Sequence, residues 1–363
     1  MQFADFPVQI EMEGQDPTDL MKELRLRIDQ EIESFFDECV PKNLDRIGRE
    51  VSRLITDFTL SGGKRLRPIF VIMGYRLFRN ADDRIFRAAI SIELAQSYLL
   101  IHDDIMDQSD TRRGKPSLHV RARSLIKTNP DDVKRVSENI AIIAGDLADA
   151  LAHKALLTSG LEAENLLKAN ILLSDIIGTT GYGQLIDIDS AYNKDFRQND
   201  LFRMHIYKTA KYTIEGPLML GATLSGTNEN LLPLSYYGTL LGTAFQVYDD
   251  ILGLFGDEEE TGKPVKGDVN EGKKTLLMLK AMEESNDKDR EFIMECLSSG
   301  NVSDPDFRRL RKIVMDTGSY DYSMKIVRNM SDKAIEYLSR INGDRKVKEF
   351  LKGLAYYVID RKN

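Results

Sequence analysis

Ser97-Tyr98-Leu99-Leu100-Ile101-His102-Asp103-Asp104-Ile105-Met106-Asp107 contains no proline or glycine, and Asp103 and Asp107 stand four residues apart in it. On an α-helix that spacing brings two side chains onto one face, a turn apart. Outward from this stretch the same helical spacing of apolar residues recurs, as in Leu20, Leu24, Ile28 and Ile32, or Leu166, Leu167, Ile171 and Leu172. Alternating strand patterns are scarce. Turn residues gather at Ser61-Gly62-Gly63, Thr128-Asn129-Pro130, Gly256 to Asp268, Ser298-Ser299-Gly300 and Thr317-Gly318, and they cut the chain into about ten or more helices. The expected class is all-α. No spacer rich in Pro, Gly or Ser and no repeat of fixed period divides the chain. Residues 17–363 therefore read as one large bundle, preceded by a polar, mobile extension over residues 1–16.

At 363 residues, with 42% hydrophobic and 30% charged side chains, the chain can bury a large core and is neither a disordered tail nor a membrane span. A net charge of −8 argues against nucleic acid, whose phosphates need a clustered basic excess. Anionic ligands must be met locally. Cys39 and Cys296 support neither a disulfide framework nor a zinc site. No signal peptide, membrane-length apolar run or lipidation motif is evident, so the expected location is the cytoplasm, with no stable membrane insertion.

Two facing carboxylates repel, so the Asp103 and Asp107 pair needs a cation or nearby bases, and oxygen-only ligands favour Mg²⁺ or Ca²⁺. Alone, the pair would read as a solvated acidic face. Directly downstream, however, Asp110-Thr111-Arg112-Arg113-Gly114-Lys115-Pro116 adds two guanidinium groups and an ammonium, and a metal beside arginine forks suits a diphosphate. A second cluster repeats the design. Phe245-Gln246-Val247-Tyr248-Asp249-Asp250-Ile251-Leu252 ends another apolar helix and leads into Gly256-Asp257 and Gly262-Lys263-Pro264.

Gly62-Gly63-Lys64-Arg65-Leu66-Arg67-Pro68 joins a flexible turn to three cations ahead of a helix that starts near the proline, a place where amides and bases can cradle phosphate. Lys208-Thr209 and Lys273-Lys274-Thr275 are weaker signals, since a lysine before threonine on a helix is usually a surface residue. His102, His119, His153 and His205 show no zinc spacing and read as structural, with His102 able to orient the neighbouring Asp103 carboxylate. No Walker loop or dinucleotide fingerprint is present.

Taken together, these motifs resemble the trans-isoprenyl diphosphate synthases, and the resemblance runs over nearly the whole chain. Its landmarks are Gly62 to Pro68, the DDxxD of Asp103 to Asp107 with Arg112-Arg113-Gly114, Gly145-Asp146, Gly181-Tyr182-Gly183-Gln184 with Asp187, Lys208-Thr209, Phe245-Gln246 with Asp249-Asp250, and Gly262-Lys263-Pro264. The resemblance implies an all-α fold with two aspartate helices across a deep central cavity, three Mg²⁺ ions and a homodimer. It implies Asp103, Asp107 and Asp249 as metal ligands, and Arg112, Lys208 and Lys263 on the allylic diphosphate. Lys64, Arg67, Gln96 and Arg113 would hold isopentenyl diphosphate, Thr209 and Gln246 would line a carbocation, and Tyr357 to Lys362 resembles the family's closing tail. Ionisation, condensation and elimination would follow, with diphosphate released.

Two departures stand out. The position four after Asp249 is Gly253 where family members often carry aspartate, with Asp257 a possible substitute, and there is extra length around Asn129 to Lys134, expected as a surface loop. Tyr98 precedes Asp103 by five residues, about 7.5 Å along a helix axis, and by resemblance Tyr98 with Leu99 would set the cavity floor of a short-chain enzyme. Geranylgeranyl diphosphate is the favoured product, with farnesyl diphosphate the alternative. A packed core tyrosine is the plainer reading of Tyr98. A class I terpene cyclase would share the metal site but needs no second diphosphate pocket, and a non-catalytic partner subunit would not need Asp103, Asp107, Asp249, Lys208 and Lys263 together.

Overall fold

Helices form where the apolar spacing predicts them. The computed structural model describes residues 17–80, 82–256 and 266–359. The extension 1–16, Asp257, Gly262-Lys263-Pro264 and the tail after Ile359 lie outside the described residues. In chain order come α1 (Pro17–Cys39), α2 (Arg46–Leu60), α3 (Leu66–Arg76), α4 (Arg84–Met106), the short strands β1 (Thr111–Arg112) and β2 (Lys115–Pro116), α5 (Leu118–Ala122), α6 (Val133–Leu157), α7 (Ala163–Tyr192), α8 (Gln198–Met204), a π-helical segment His205–Glu215, α9 (Gly216–Ser225) and α10 (Leu232–Phe255). Helices Gly267–Asn270, Leu276–Glu284, Asp287–Ser298, Asp304–Asp316, Ser319–Ser339 and Arg345–Ile359 follow. The fold is all-α. The two strands pair only with each other, antiparallel, around Arg113-Gly114. The loop expected near Asn129 to Lys134 is a largely exposed 3₁₀ turn, Pro130–Asp132, that leads straight into α6.

The described residues group into two compact units, one within 17–174 and 217–228, the other within 175–216 and 229–359. In the first, α3 is buried on all sides from Pro68 to Tyr75, which explains why its sequence lacks an amphipathic stripe. Close helix approach makes that burial possible. A Cβ on Gly74 would lie 3.0 Å from the Leu218 Cα, and one on Gly221 would lie 2.7 Å from the Tyr75 backbone nitrogen. Because the obstacle is backbone, no rotamer change relieves it. Gly221→Ala is expected to cost about 3 kcal/mol of stability, read as a lower urea midpoint with an unchanged slope. An unshifted midpoint would mean that α3 and α9 can part without loss.

In the second unit, Val247, Ile251 and Leu254 of α10 join Leu276, Leu277, Leu310, Val314 and Val327 in one buried cluster. The opposite ridge of α10, Gly238, Gly242, Gln246 and Asp250, carries one residue per turn and meets the π-helical segment. A Cβ on Gly238 would lie 2.5 Å from the Glu215 Cα, and one on Gly242 would lie 2.6 Å from the Ala210 Cα. Farther along, Thr209 bonds Gln246 and His205 faces Asp250. The wide turn has a geometric reason here. A five-residue step through Glu215, Ala210 and His205 keeps one face of the segment on a four-residue ridge of α10, and π-helical hydrogen bonding supplies that step.

Candidate active site

The last turn of α4 divides its three aspartates by burial. Asp104 is turned inward, its side chain 1% exposed, and Arg112 Nε donates to its Oδ1 at 2.6 Å. Burial pushes the Asp104 carboxyl up to about 6, with the Arg112 guanidinium opposing that rise. Asp107 is exposed and Asp103 half-buried, and Arg112 Nη2 reaches the Asp103 Oδ2 at 3.3 Å. Arg112 can do this because β1 carries it back alongside the helix end. The two-strand turn thus ties the arginine motif to the aspartate motif.

The neighbouring bases come together in the same unit. Arg113, at φ 52°, lays its guanidinium over Gly63 and donates through Nη1 to the Gly62 carbonyl. Gln96 lies on α4, two turns before Asp103, and the surrounding donors and acceptors set its amide. Its oxygen accepts from Arg67 Nη1 at 3.2 Å and its nitrogen donates to Glu93. Lys64 is exposed, whereas Arg65 points into the core, 0% exposed, and bonds Asp29 at 2.7 Å and Glu93 at 2.5 Å. The three adjacent cations therefore have two different jobs. Arg65 anchors the turn against α1 and α4, while Arg67 bonds Gln96 and Lys64 stays at the surface.

His102, read as structural with Asp103 as its alternative partner, sets its Nε2 2.9 Å from the Ile142 carbonyl on α6. The Tyr98 ring meets the His102 ring edge-on, with centroids 4.9 Å apart. A Cβ on Gly145 would overlap the imidazole, which gives the Gly145-Asp146 landmark a steric reason: glycine there admits the histidine. Tyr98 and Leu99 are both half-buried.

In the second unit, Asp187, Lys208, Thr209, Gln246, Asp249 and Asp268 line a cavity of 220 Å³. Lys208 pairs with Asp187, and Gly183 lets α7 approach, since a Cβ there would sit 2.7 Å from the Lys208 Cα. As at α4, the first aspartate of the second pair is half-buried and the other buried, and here both line the cavity. The Asp250 carboxyl is pushed well above the ordinary carboxylate range, first by burial and then by Asp268. Lys263 and Asp257, both expected near this cluster, lie outside the described residues.

Four residues here escaped sequence reasoning or were undervalued by it. Lys274 donates to the Ser190 and Asn193 carbonyls, each at 2.8 Å, at the end of α7. Lys273 bonds Asp268 at 3.1 Å and Glu271 at 2.6 Å. Asp187, noted only as a landmark, holds the Lys208 ammonium. Asp268 matters most. Its Oδ2 fills the space where a Cβ on Gly253 would project, so the missing fifth residue of the second motif leaves room for a carboxylate arriving from farther along the chain. A glycine four places after Asp249 followed by Gly267-Asp268 was the available signal.

Residues 49–314 match the family model for polyprenyl synthetase. The chain belongs to the polyprenyl synthetase family. Within it the chain is a trans-prenyltransferase of the short-chain isoprenyl diphosphate synthase type. It is 33% identical over 306 residues to a geranylgeranyl diphosphate synthase of Sulfolobus acidocaldarius, covering 83% of this chain and 88% of that one. It is also 33% identical over 308 residues to a geranylfarnesyl diphosphate synthase of Aeropyrum pernix, covering 83% and 91%. The fold matches a Corynebacterium glutamicum geranylgeranyl pyrophosphate synthase complexed with isoprenyl diphosphate and magnesium, with a TM-score of 0.85, 29% identity, and 96% and 100% of the two chains covered. Equal identity to relatives with different products means that overall similarity does not choose the chain length of this polyprenyl synthetase.

Proposed function

We propose that this prenyltransferase condenses isopentenyl diphosphate head to tail with an allylic diphosphate and makes geranylgeranyl diphosphate. The observation that carries the reading is two groups of basic and polar side chains beside α4, each suited to a diphosphate. Arg112 stands with Asp103 and Asp104, while Arg113 lies on the Gly62-Gly63 turn and Arg67 bonds Gln96, a residue about 10 Å back along α4 from Asp103. A terpene cyclase has use for one such group. Condensation of two diphosphates has use for both.

Magnesium fits the donors. Asp103, Asp107 and Asp249 offer hard oxygens, and Asp268 adds a fourth carboxylate in the Asp249 cavity. Hard carboxylate oxygens suit an ion that keeps waters and takes substrate phosphate oxygens as ligands. When bound, magnesium would neutralise the diphosphate and favour its departure. Arg112, Lys208 and Lys263 would orient the allylic diphosphate, and Lys64, Arg67, Gln96 and Arg113 the isopentenyl diphosphate. Thr209 and Gln246, bonded at 2.8 Å, would offer fixed dipoles to the cation with no free nucleophile.

A homodimer completes the proposal. Ile143 and Leu147 on α6, and Leu167, Ile171, Tyr182 and Leu185 on α7, are exposed, more apolar surface on two helices than a lone chain usually leaves to water. Among the described residues no helix is long and apolar enough to cross a membrane.

Purified protein incubated with Mg²⁺, labelled isopentenyl diphosphate and each allylic diphosphate in turn tests the activity, and the expected main product has twenty carbons. No incorporation with any primer would sink the proposal. In the same assay Tyr98→Ala is expected to lengthen the product by at least about one isoprene unit, because deleting an aromatic ring opens space of roughly that size. An unchanged mass spectrum would move the cavity floor away from Tyr98.

A further inference from the structure

We propose that His205 is a positioning residue for the condensation, bracing Asp250 so that Gln246 and Thr209 keep one fixed orientation toward the cavity. The inference rests on the prenyltransferase reading above, in which Thr209 and Gln246 face the cationic intermediate. His205 opens the π-helical segment that carries Lys208 and Thr209, and it lines the same cavity as Thr209, Gln246 and Asp249.

The contacts form a short chain. The Thr209 hydroxyl donates to Gln246 Oε1 at 2.8 Å, and Gln246 Nε2 donates to Asp250 Oδ1 at 2.8 Å. Asp250 Oδ2 is buried with no hydrogen-bond partner of its own, and the His205 Nε2 lies 3.5 Å from it. His205 and Asp250 are 3% and 7% exposed, so bulk water does not compete for that oxygen. Each link fixes the next. A reversed Gln246 amide would set its oxygen against the Asp250 carboxyl, so Asp250 determines which end of the amide meets Thr209. The Thr209 proton is then committed to Gln246, and the hydroxyl turns lone pairs, not a proton, toward anything else it meets. An oxygen held that way stabilises developing positive charge without reacting with it.

If Asp250 were free to turn about its χ2, it would release the amide and the hydroxyl would lose its orientation. The group that faces its second oxygen is the His205 ring, whose Nε2 needs a shift of only about half an ångström to reach hydrogen-bond distance. Packing places it there. Gly238 and Gly242 bring the π-helical backbone against α10, and the five-residue register then sets His205 opposite Asp250 as Thr209 meets Gln246.

The test compares two amides at position 205. The nitrogen of glutamine can stand where the imidazole Nε2 stands, whereas that of asparagine matches Nδ1 and stops short. His205→Asn is expected to lower kcat about tenfold with the KM of both diphosphates unchanged, and His205→Gln to recover most of the loss. In a Thr209→Val background His205→Asn should have little further effect, since the orientation it guards is gone. Both variants keep a polar group in the pocket, and melting curves compare their folding. Equal kcat for Asn and Gln, a rise in KM, or a full additive loss in the Thr209→Val background would overturn the inference. No product from the wild type would sink the prenyltransferase reading itself, a result separable from wild-type activity that His205→Asn leaves untouched.

Discussion

Replacing Asp103 or Asp107 with alanine is expected to lower the condensation rate by a factor on the order of a thousand while leaving the melting temperature nearly unchanged. Asp107 is exposed at the end of α4 and Asp103 is half-buried, and neither fills a core position. Deleting one also relieves repulsion from the other, so the fold has little to lose. The middle aspartate behaves differently. Asp104 is buried under Arg112, and Asp104→Ala leaves a guanidinium without its shortest partner. Its main effect is therefore on stability, at about 1–3 kcal/mol, with activity lost as Arg112 drifts. Initial rates with and without Mg²⁺, beside thermal melts of the three variants, separate these outcomes. Near-wild-type rates for Asp103→Ala and Asp107→Ala would remove α4 from the chemistry. A collapse in their melting temperature would make the carboxylates structural.

The contrast among these three aspartates shows what was legible in the chain and what was not. Helical spacing predicts α4 and places Asp103 with Asp107, because both follow from the period of one helix. That Asp104 and Asp250 turn inward does not follow from that period alone, since burial depends on neighbours supplied by other helices. The basic cluster is similar. Composition offers three equivalent cations at 64, 65 and 67, yet only packing against Asp29 and Glu93 draws Arg65 into the core. Propensity also fails at His205–Glu215. Its residues suit an ordinary helix, and the wider turn comes from the glycine ridge of α10 pressing on it. The lysines at 273 and 274 read as surface residues because their partners, Asp268, Ser190 and Asn193, are fixed by tertiary contact.

Gly253 carries this point to a test, because the structure adds an expectation that the sequence does not contain. Read as a motif, the second cluster merely lacks one potential ligand at Gly253, with no loss of function implied. In the folded chain the place is taken. A Cβ at 253 would project into Asp268 Oδ2, whose other oxygen is held by Lys273 at 3.1 Å. A second carboxylate there would collide with the first, repel it, and break the Lys273 pair. Gly253→Asp is therefore expected to cut the condensation rate about a hundredfold, as a misplaced group near a reacting centre does. Asp268→Ala should lose a similar factor by removing the carboxylate outright. The double variant Gly253→Asp, Asp268→Gly moves the carboxylate from one chain position to the other and should recover much of the rate. Magnesium titrations of kcat for all three variants would read the same order. If Gly253→Asp alone matched or exceeded the wild type, the space over Gly253 would not be the place where Asp268 acts, and the second cluster would be working with Asp249 alone.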